Sequence, residues 1–286
     1  MSNTITSSLV KKFVPVRKLS SRKGDNGKVL VLGGSYIYHG APALSSLAAL
    51  KTGTDLVYTC VPKINVQSTR AVSPNLIVIP LVDSKLTRGA VNKLLGQIPA
   101  DLDSATIGMG LSIQDPEALK LLVKSLLDRD VRLSLDATAL VSYILPLLSG
   151  KNVVVTPHEG EFKKMFGEAP PDSKKARITM VEKFAKDHSI TILLKGPTDI
   201  ISNGTKTYIN PTNTPGMTVG GTGDILSGII AGMLARNRNA LESAVISAYF
   251  NGLAGKSTQK KLGSHMTATD LLDALPSVMK SFDKIK

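Results

Sequence analysis

The sequence predicts a doubly wound α/β domain whose mostly parallel sheet is covered by helices on both faces. Short, continuous apolar runs alternate along the chain with segments of helical periodicity, the pattern of parallel strands joined by crossover helices. Several of these runs end in glycines or polar residues, as strands do where an open α/β sheet binds its ligands. The 286 residues suffice for one large core, and no repeat, low-complexity tract or linker divides them. Residues 1–14 are expected to form a flexible basic leader and residues 15–286 a single domain.

The first run, Lys28-Val-Leu-Val-Leu-Gly-Gly-Ser35, reads as a buried parallel strand that stops at glycine. After a loop, Pro42 sits at an early helical position, Leu44, Leu47 and Ala48 follow, and Gly53 ends the helix. Residues 55–61 are the next strand, which completes a β-loop-α-β unit. The alternation then continues with a strand at 75–82, a helix at 87–97 and a strand at 104–108. Asp115-Pro-Glu places its acids in the first turn of a helix reaching about 128. A strand at 132–136 precedes a helix at 137–148 disturbed near Pro146, and a strand at 152–156 leads to a helix at 159–166. Beyond Pro170-Pro171, an amphipathic helix spans 172–188, with Ile178, Val181, Phe184 and Ala185 on one face. A strand at 190–194 is followed by a hairpin over 199–208 around Asn203-Gly204, expected to add an antiparallel edge. Helices at 240–257 and 267–282 close the chain.

Composition removes several classes of function. No apolar run approaches the roughly 18 residues that span a bilayer, and residues 1–8 lack a signal-peptide core, so a cytoplasmic protein is expected. The single cysteine, Cys60, excludes an internal disulfide and lies in an apolar run, as a buried thiol does. The net charge is +13, and seven basic residues against one acid lie between Lys11 and Lys28, so nearly half of the excess sits in the leader. Such charge suits a polyanionic small substrate or a nucleic acid. With aromatics at 4% and no Trp, the stacking platforms that single strands need are scarce, which argues against nucleic acid.

The densest motif is Thr214-Pro-Gly-Met-Thr-Val-Gly-Gly-Thr-Gly-Asp224. Gly220, Gly221 and Gly223 can turn successive N–H groups into one concavity, with Thr222 read as the N-cap of a helix carrying Ile225, Leu226, Ile229, Ile230, Met233 and Leu234 on helical spacing. A helix N-terminus built this way is an anion hole. Asp224 would repel a bound phosphate unless it takes a proton from an attacking hydroxyl or helps hold a metal; satisfying the helix dipole is the plainer alternative. The motif is neither a P-loop nor a Gly-x-Gly-x-x-Gly fingerprint.

Other polar residues gather at predicted strand ends: Gly33-Gly-Ser35, Gly108-Met-Gly110, Asp136, Thr156-Pro-His158-Glu-Gly-Glu161 and Lys195-Gly-Pro-Thr198. Each has an ordinary explanation as a turn, a cap or a solvated loop. Their occurrence on successive strands, all at carboxyl ends, is what points to a site. The set suits phosphoryl transfer, with Lys195 and the basic leader offsetting nucleotide charge, the glycine loop holding the moving phosphoryl group and Asp224 accepting the hydroxyl proton. Mg²⁺ is expected with the nucleotide; Glu161 or Asp136 could reach it through water.

Taken in order, Gly33-Gly-Ser35, Gly40-Ala-Pro42, Gly108-x-Gly-Leu111, Leu135-Asp-Ala137, Thr156-Pro-His-x-Gly-Glu161, Leu194-Lys-Gly196 and Pro215-Gly-Met-x-x-Gly-Gly-Thr-Gly-Asp224 resemble the ADP/ATP-dependent NAD(P)H-hydrate dehydratases, a branch of the ribokinase-like fold. The resemblance covers about residues 15–275. It implies a lyase of metabolite repair: the C6 hydroxyl of the S-form of hydrated NADH or NADPH is phosphorylated from ATP or ADP, and phosphate then leaves to restore the reduced dinucleotide. It further implies that Asp224 is the base, that Ala41, Gly110, His158 and Asp224 line the hydrated-dinucleotide site, and that Lys195, Gly196, Pro197, Thr198, Asp199 and Gly223 hold the adenine nucleotide. A homo-oligomer, such as the tetramer common in the family, and a separate epimerase go with this reading. Departures are Ser112 in place of a glycine, Thr138 in place of an acid, and Thr198-Asp199 shifted by one position.

Two other functions compete. A hydroxyl kinase of the same fold would use Asp224 and its glycines equally well, because only the fate of the phosphorylated alcohol differs. A non-catalytic basic protein binding nucleotide or RNA would use the charge alone.

Overall fold

The computed structural model describes residues 2–286. In chain order the elements are β1 (Ser2–Thr4), α1 (Ser7–Phe13), β2 (Lys28–Leu32), α2 (Ala41–Lys51), β3 (Leu56–Pro62), α3 (Val66–Val72), β4 (Ile77–Leu81), α4 (Arg88–Gln97), β5 (Ser104–Ile107), α5 (Pro116–Asp128) and β6 (Arg132–Leu135). They continue as α6 (Leu145–Leu148), β7 (Val153–Val155), α7 (Glu159–Phe166), α8 (Lys174–His188), β8 (Thr191–Leu194), β9 (Asp199–Ser202), β10 (Thr207–Asn210), α9 (Thr222–Asn237), α10 (Ala240–Leu262) and α11 (Ala268–Met279). The strands form one sheet in the order β1-β10-β9-β8-β7-β6-β5-β2-β3-β4, parallel throughout except where β9 runs against β8 and β10. This is the expected doubly wound, mostly parallel α/β architecture.

Alternation along single strands divides the core. Leu30 and Leu32 of β2 turn to the layer that holds α4, α5, α7 and α8, while Val29 and Val31 turn to the face occupied by α2 and α9. Beyond α9, the core of that second face is completed by α1, α10 and α11. Because both faces are covered, the strands read as unbroken apolar runs rather than alternating ones.

The amino-terminal segment corrects an expectation. Residues 2–13 are not a loose leader: β1 pairs in parallel with β10, α1 buries Val10, and the Phe13 ring meets Tyr208 edge-on. β1 therefore covers the hairpin, and the sheet ends at β1 rather than at β10. Its sequence, Ser-Asn-Thr, carries no apolar signal, since ladder hydrogen bonds alone recruit it. The two chain ends also meet, with the Arg17 N–H donating to the Lys284 carbonyl at 2.8 Å and the Lys286 N–H to the Arg17 carbonyl at 3.0 Å.

Two further elements differ from expectation. The helix expected over 137–148 is two 3₁₀ turns followed by the single-turn α6, because Pro146 starts the helix and its ring forbids extension backward. The short α3, which buries only Val66 and Thr69, had too narrow an apolar face to be read.

α9 lies almost directly on α2. A methyl group at Gly228 would lie 2.0 Å from the Ser45 carbonyl oxygen, and one at Gly232 would lie 2.2 Å from Thr52 Oγ1. On the sheet side, Ser104 Oγ donates to the Ala231 carbonyl at 2.6 Å and Thr106 Oγ1 shares a hydrogen bond with Ser227 Oγ. Residues 225–235 of α9 are buried without a break. Gly228→Ala is accordingly expected to cost about 1–3 kcal/mol through overpacking, read as a lowered Tm in thermal unfolding. Gly96→Ala in α4, where the added methyl meets no atom within 4 Å, should leave Tm unchanged or raise it.

Candidate active site

The chain runs outward from β2 through β3 and β4, then returns to β5 on the other side of β2. Neighbouring crossovers diverge at that switch point, which opens a crevice at the carboxyl ends of β2 and β5. The glycines there are sterically demanded. A side chain at Gly33 would meet the Met109 carbonyl oxygen at 2.5 Å, and Gly108 and Gly110 both have positive φ, with Tyr38 packed against Gly110. The crevice is a cavity of about 1020 Å³ bordered by Ala41, Gly110, Glu161, Gly220, Gly221 and Asp224. That volume lies at the upper end of small-molecule sites.

The glycine loop forms one wall. Gly221, with φ 98°, is the helix N-cap; Thr222, expected as the cap, is the first helical residue, and its hydroxyl donates to the Met217 and Val219 carbonyls at 2.9 and 3.2 Å instead of accepting a first-turn N–H. A side chain at Gly221 would press on Leu44 and Ala268 at 2.8 Å, whereas one at Gly220 would meet nothing within 4 Å. At Gly223 it would stand 3.7 Å from Lys195 Nζ. The first-turn amides of α9 have no preceding carbonyl as partner. Gly220, Gly221 and Asp224 border the large cavity, while Thr222 and Gly223 border a second one of about 520 Å³. The loop is thus a partition made of backbone.

Lys195 ties the strand ends together. Its ammonium donates to Asp136 Oδ1 at 2.8 Å and lies 3.6 Å from Glu161 Oε2, and Asp136 Oδ1 also accepts from Thr156 Oγ1 at 2.8 Å. Burial works against the ammonium, but Asp136 and Glu161 outweigh it and hold the Lys195 pKa above its ordinary value. Asp224 is pushed up to about 7, first by burial and then by the negative charge of Asp136, with Lys195 opposing. A carboxyl poised there serves as a base near neutral pH. Among the described residues no three His, Cys, Asp or Glu side chains converge as a metal cage. Asp136 and Glu161, both held by Lys195, suit a Mg²⁺ ion that keeps its waters and is carried by nucleotide phosphates.

The second cavity collects Lys195, Gly196, Pro197, Asp199 and Gly223 on its border, but not Thr198. Asp199 is itself buried. It accepts from the Gly196 N–H at 3.2 Å, Asn213 Nδ2 at 2.8 Å and Asn210 Nδ2 at 3.0 Å, and burial nevertheless raises its pKa to about 6. It shapes the turn after β8 from beneath. His158 borders this smaller cavity rather than the dinucleotide-sized one expected for it. Its Nδ1 accepts the Gly160 and Glu161 N–H groups, and Glu161 returns the bond to the His158 N–H, a capping box that starts α7. Thr138, where an acid was expected, donates to the Gly108 carbonyl at 2.8 Å.

The basic leader does not reach the site. Arg17 bonds Gly53 and Asp55, at the amino end of β3, because a chain feeding β2 must arrive at the opposite edge of the sheet from the glycine loop. Residues not anticipated here include the exposed turn Tyr36-Ile37-Tyr38 and the cations Lys85 and Lys164 on the large cavity, with Asn213 and Asn251 on the small one. Three consecutive exposed apolar residues after a glycine-ended strand were a readable signal. A lone Asn in a loop or a helix carries none.

The family model for NAD(P)H-hydrate dehydratases matches residues 29–277. The chain is 70% identical over 282 residues to the ADP-dependent (S)-NAD(P)H-hydrate dehydratase of Nitrosopumilus maritimus, covering 99% of this chain and 98% of that one. It is 40% identical to the bifunctional NAD(P)H-hydrate repair enzyme Nnr of Pyrobaculum aerophilum over 93% of this chain and 53% of that relative. In structure it superposes on the ADP/ATP-dependent NAD(P)H-hydrate dehydratase of Bacillus subtilis, co-crystallised with ATP/Mg²⁺, with a TM-score of 0.84, 26% identity and 99% of each chain covered.

Carbon-detected NMR of the carboxyl groups should find Asp224 titrating near pH 7. Lys195→Met should move that midpoint higher, since the opposing ammonium is gone, and Asp136→Asn should move it lower. An unchanged midpoint in both variants would refute the charge coupling.

Proposed function

The chain belongs to the NAD(P)H-hydrate dehydratase family, and from that membership we infer that it restores NADH and NADPH from their hydrates at the expense of a nucleotide. The observation that carries the reading is the place of Asp224. Its carboxyl borders the large cavity beside a backbone partition, and the small cavity with Lys195 lies behind the same loop. A hydroxyl in the first cavity and a terminal phosphoryl group in the second would meet across glycine.

The hydrated dinucleotide of the S-form takes the large cavity, along Ala41 and Gly110, with its C6 hydroxyl at Asp224. The adenine nucleotide takes the small one, its phosphates facing Lys195 and the amides of Gly223 and the first turn of α9. Asp224, as carboxylate, removes the hydroxyl proton while the oxygen attacks the terminal phosphorus, and the bond from phosphorus to the nucleotide oxygen breaks. The nitrogen lone pair of the reduced ring then expels phosphate from C6, and loss of a proton from C5 forms the C5–C6 double bond. Lys195 and the loop amides hold the negative charge that develops on the phosphoryl oxygens. Mg²⁺, when bound with the nucleotide, supplies further neutralisation, and Asp136 and Glu161 are the side chains placed to meet its waters.

ADP is the donor this reading favours, supported by the Nitrosopumilus relative's ADP dependence at 70% identity. The bifunctional Pyrobaculum relative, of which this chain matches about half, supports an accompanying epimerase that converts the other hydrate epimer. Among the described residues no helix is long and apolar enough to cross a membrane. A homo-oligomer in the cytoplasm belongs to the same proposal, with light scattering as the check on assembly.

The decisive assay mixes hydrated NADH, Mg²⁺ and ADP or ATP and follows the return of reduced-nicotinamide absorbance. Recovery should occur with ADP; none with either nucleotide would end the dehydratase reading. Because the base acts ionised and its pKa is raised to about 7, kcat/KM should climb about tenfold per pH unit below that value and level off above it. Asp224→Asn should lower kcat by at least about 10²-fold while nucleotide affinity is kept within a fewfold. Activity within tenfold of wild type would remove Asp224 from the role of base.

A further inference from the structure

Five buried side-chain polar atoms lack a hydrogen-bond partner among the described residues, and two of them, Asn251 Oδ1 and Thr214 Oγ1, belong to residues bordering the same small cavity. Asn251 lies on α10 and is only 5% exposed, in a helix turn otherwise packed with Phe250, Gly252 and Ala254. An amide oxygen buried without a partner is destabilising, and the apolar stretch around it supplies no donor. Because Asn251 borders the small cavity, rotation of its carboxamide would bring Oδ1 to a donor held there.

The position along the cavity says which part of a nucleotide arrives there. Lys195 and Gly223 mark the end where charge is needed. Leu226 lies one residue short of a helical turn beyond Gly223, and Met217 packs on α10 where a side chain at Gly255, one turn past Asn251, would touch its sulfur at 2.3 Å. Met217 and Leu226 thus give the cavity an apolar part that also includes the Asn251 carboxamide, whereas the other carboxamide on its border, Asn213, already donates to Gly196 and Asp199. An aromatic base fits the apolar part, and a carboxamide matches the exocyclic amine and adjacent ring nitrogen of adenine better than the carbonyl of guanine or hypoxanthine.

We propose that Asn251 is the base-reading residue of the nucleotide cavity, its Oδ1 accepting a hydrogen bond from the exocyclic amine of adenine. The proposal rests on the small cavity being the nucleotide site, as in the reading above, but it does not depend on which reaction follows. Asn251 does not touch the transferring phosphoryl group. It is a specificity residue that selects adenine nucleotides over those of guanine and hypoxanthine and should affect nucleotide affinity rather than the chemical step.

The test is equilibrium binding by calorimetry of ADP, IDP and purine riboside 5′-diphosphate, which is ADP without the amine, to the wild-type protein and to Asn251→Leu. Wild type should bind ADP about 5- to 50-fold more tightly than the amine-free analogue, and likewise more tightly than IDP. In Asn251→Leu that ratio should fall to within about twofold, chiefly through weaker ADP binding, while apo Tm is held or raised because an unpaired polar atom has been removed. Asn251→Ala, with less bulk, is the second variant should leucine crowd the pocket. Equal binding of ADP and its amine-free analogue to wild type, discrimination that persists in both variants, or no ADP binding at all would overturn the proposal. Turnover of hydrated NADH without discrimination would sink only the role of Asn251. Discrimination without turnover would sink only the dehydratase reading.

Discussion

How near α9 can come to its neighbours decides where every group at the carboxyl edge of the sheet ends up. Gly228 and Gly232 let α2 lie on the helix backbone itself, while on the sheet side Ser104 and Thr106 bond Ala231 and Ser227 of the same helix. Helices and sheets usually stand apart by the thickness of their side chains. Here that thickness is removed on one side, so the N-terminus of α9 is set by covalent backbone geometry rather than by adaptable packing. Asp224 stands one turn before Gly228. Its place is held by the same contact that holds the helix.

Around that fixed helix end, charge is arranged as one cation among three carboxylates. Lys195 is paired directly with Asp136 and more distantly with Glu161, which leaves Asp224 with the repulsion of Asp136 and only part of the ammonium's attraction. Asp136 is therefore paired with the ammonium while Asp224, its neighbour, has its pKa pushed up to about 7. The cluster carries excess negative charge, and the first-turn amides of α9, where Asp224 sits, present the positive end of that helix to it. Their dipoles need no counter-ion of their own and cannot move away.

Sheet residues were the most legible part of the fold, because a strand buried on both faces has no polar positions to confuse the reading. Val29 and Leu30 point to different cores, yet both had to be apolar. β1 was illegible for the opposite reason: Ser2, Asn3 and Thr4 contribute backbone hydrogen bonds and nothing else. In the site, glycines and acids announced themselves by their chemistry, so Gly108, Asp136, Lys195 and Asp224 could be gathered from the sequence. Roles were harder to read than places. His158 and Thr222 are residue types that bind ligands and also close turns; both hold local backbone here. Asn251 could not be read at all, since an asparagine on a long helix is conspicuous only once its surroundings are known to be apolar.

The meeting of the chain ends bears on how the molecule is made. β1 lies beside β10, and the Arg17 backbone pairs with Lys284 and Lys286, so this edge of the fold is closed by residues far apart in the sequence. Until α10 is in place, the apolar side of α1 has no cover. Contacts of such sequence separation form slowly and leave intermediates open to misassembly. The lysines and arginines between Lys11 and Lys28 carry like charge, and like charge keeps partly folded chains hydrated and apart.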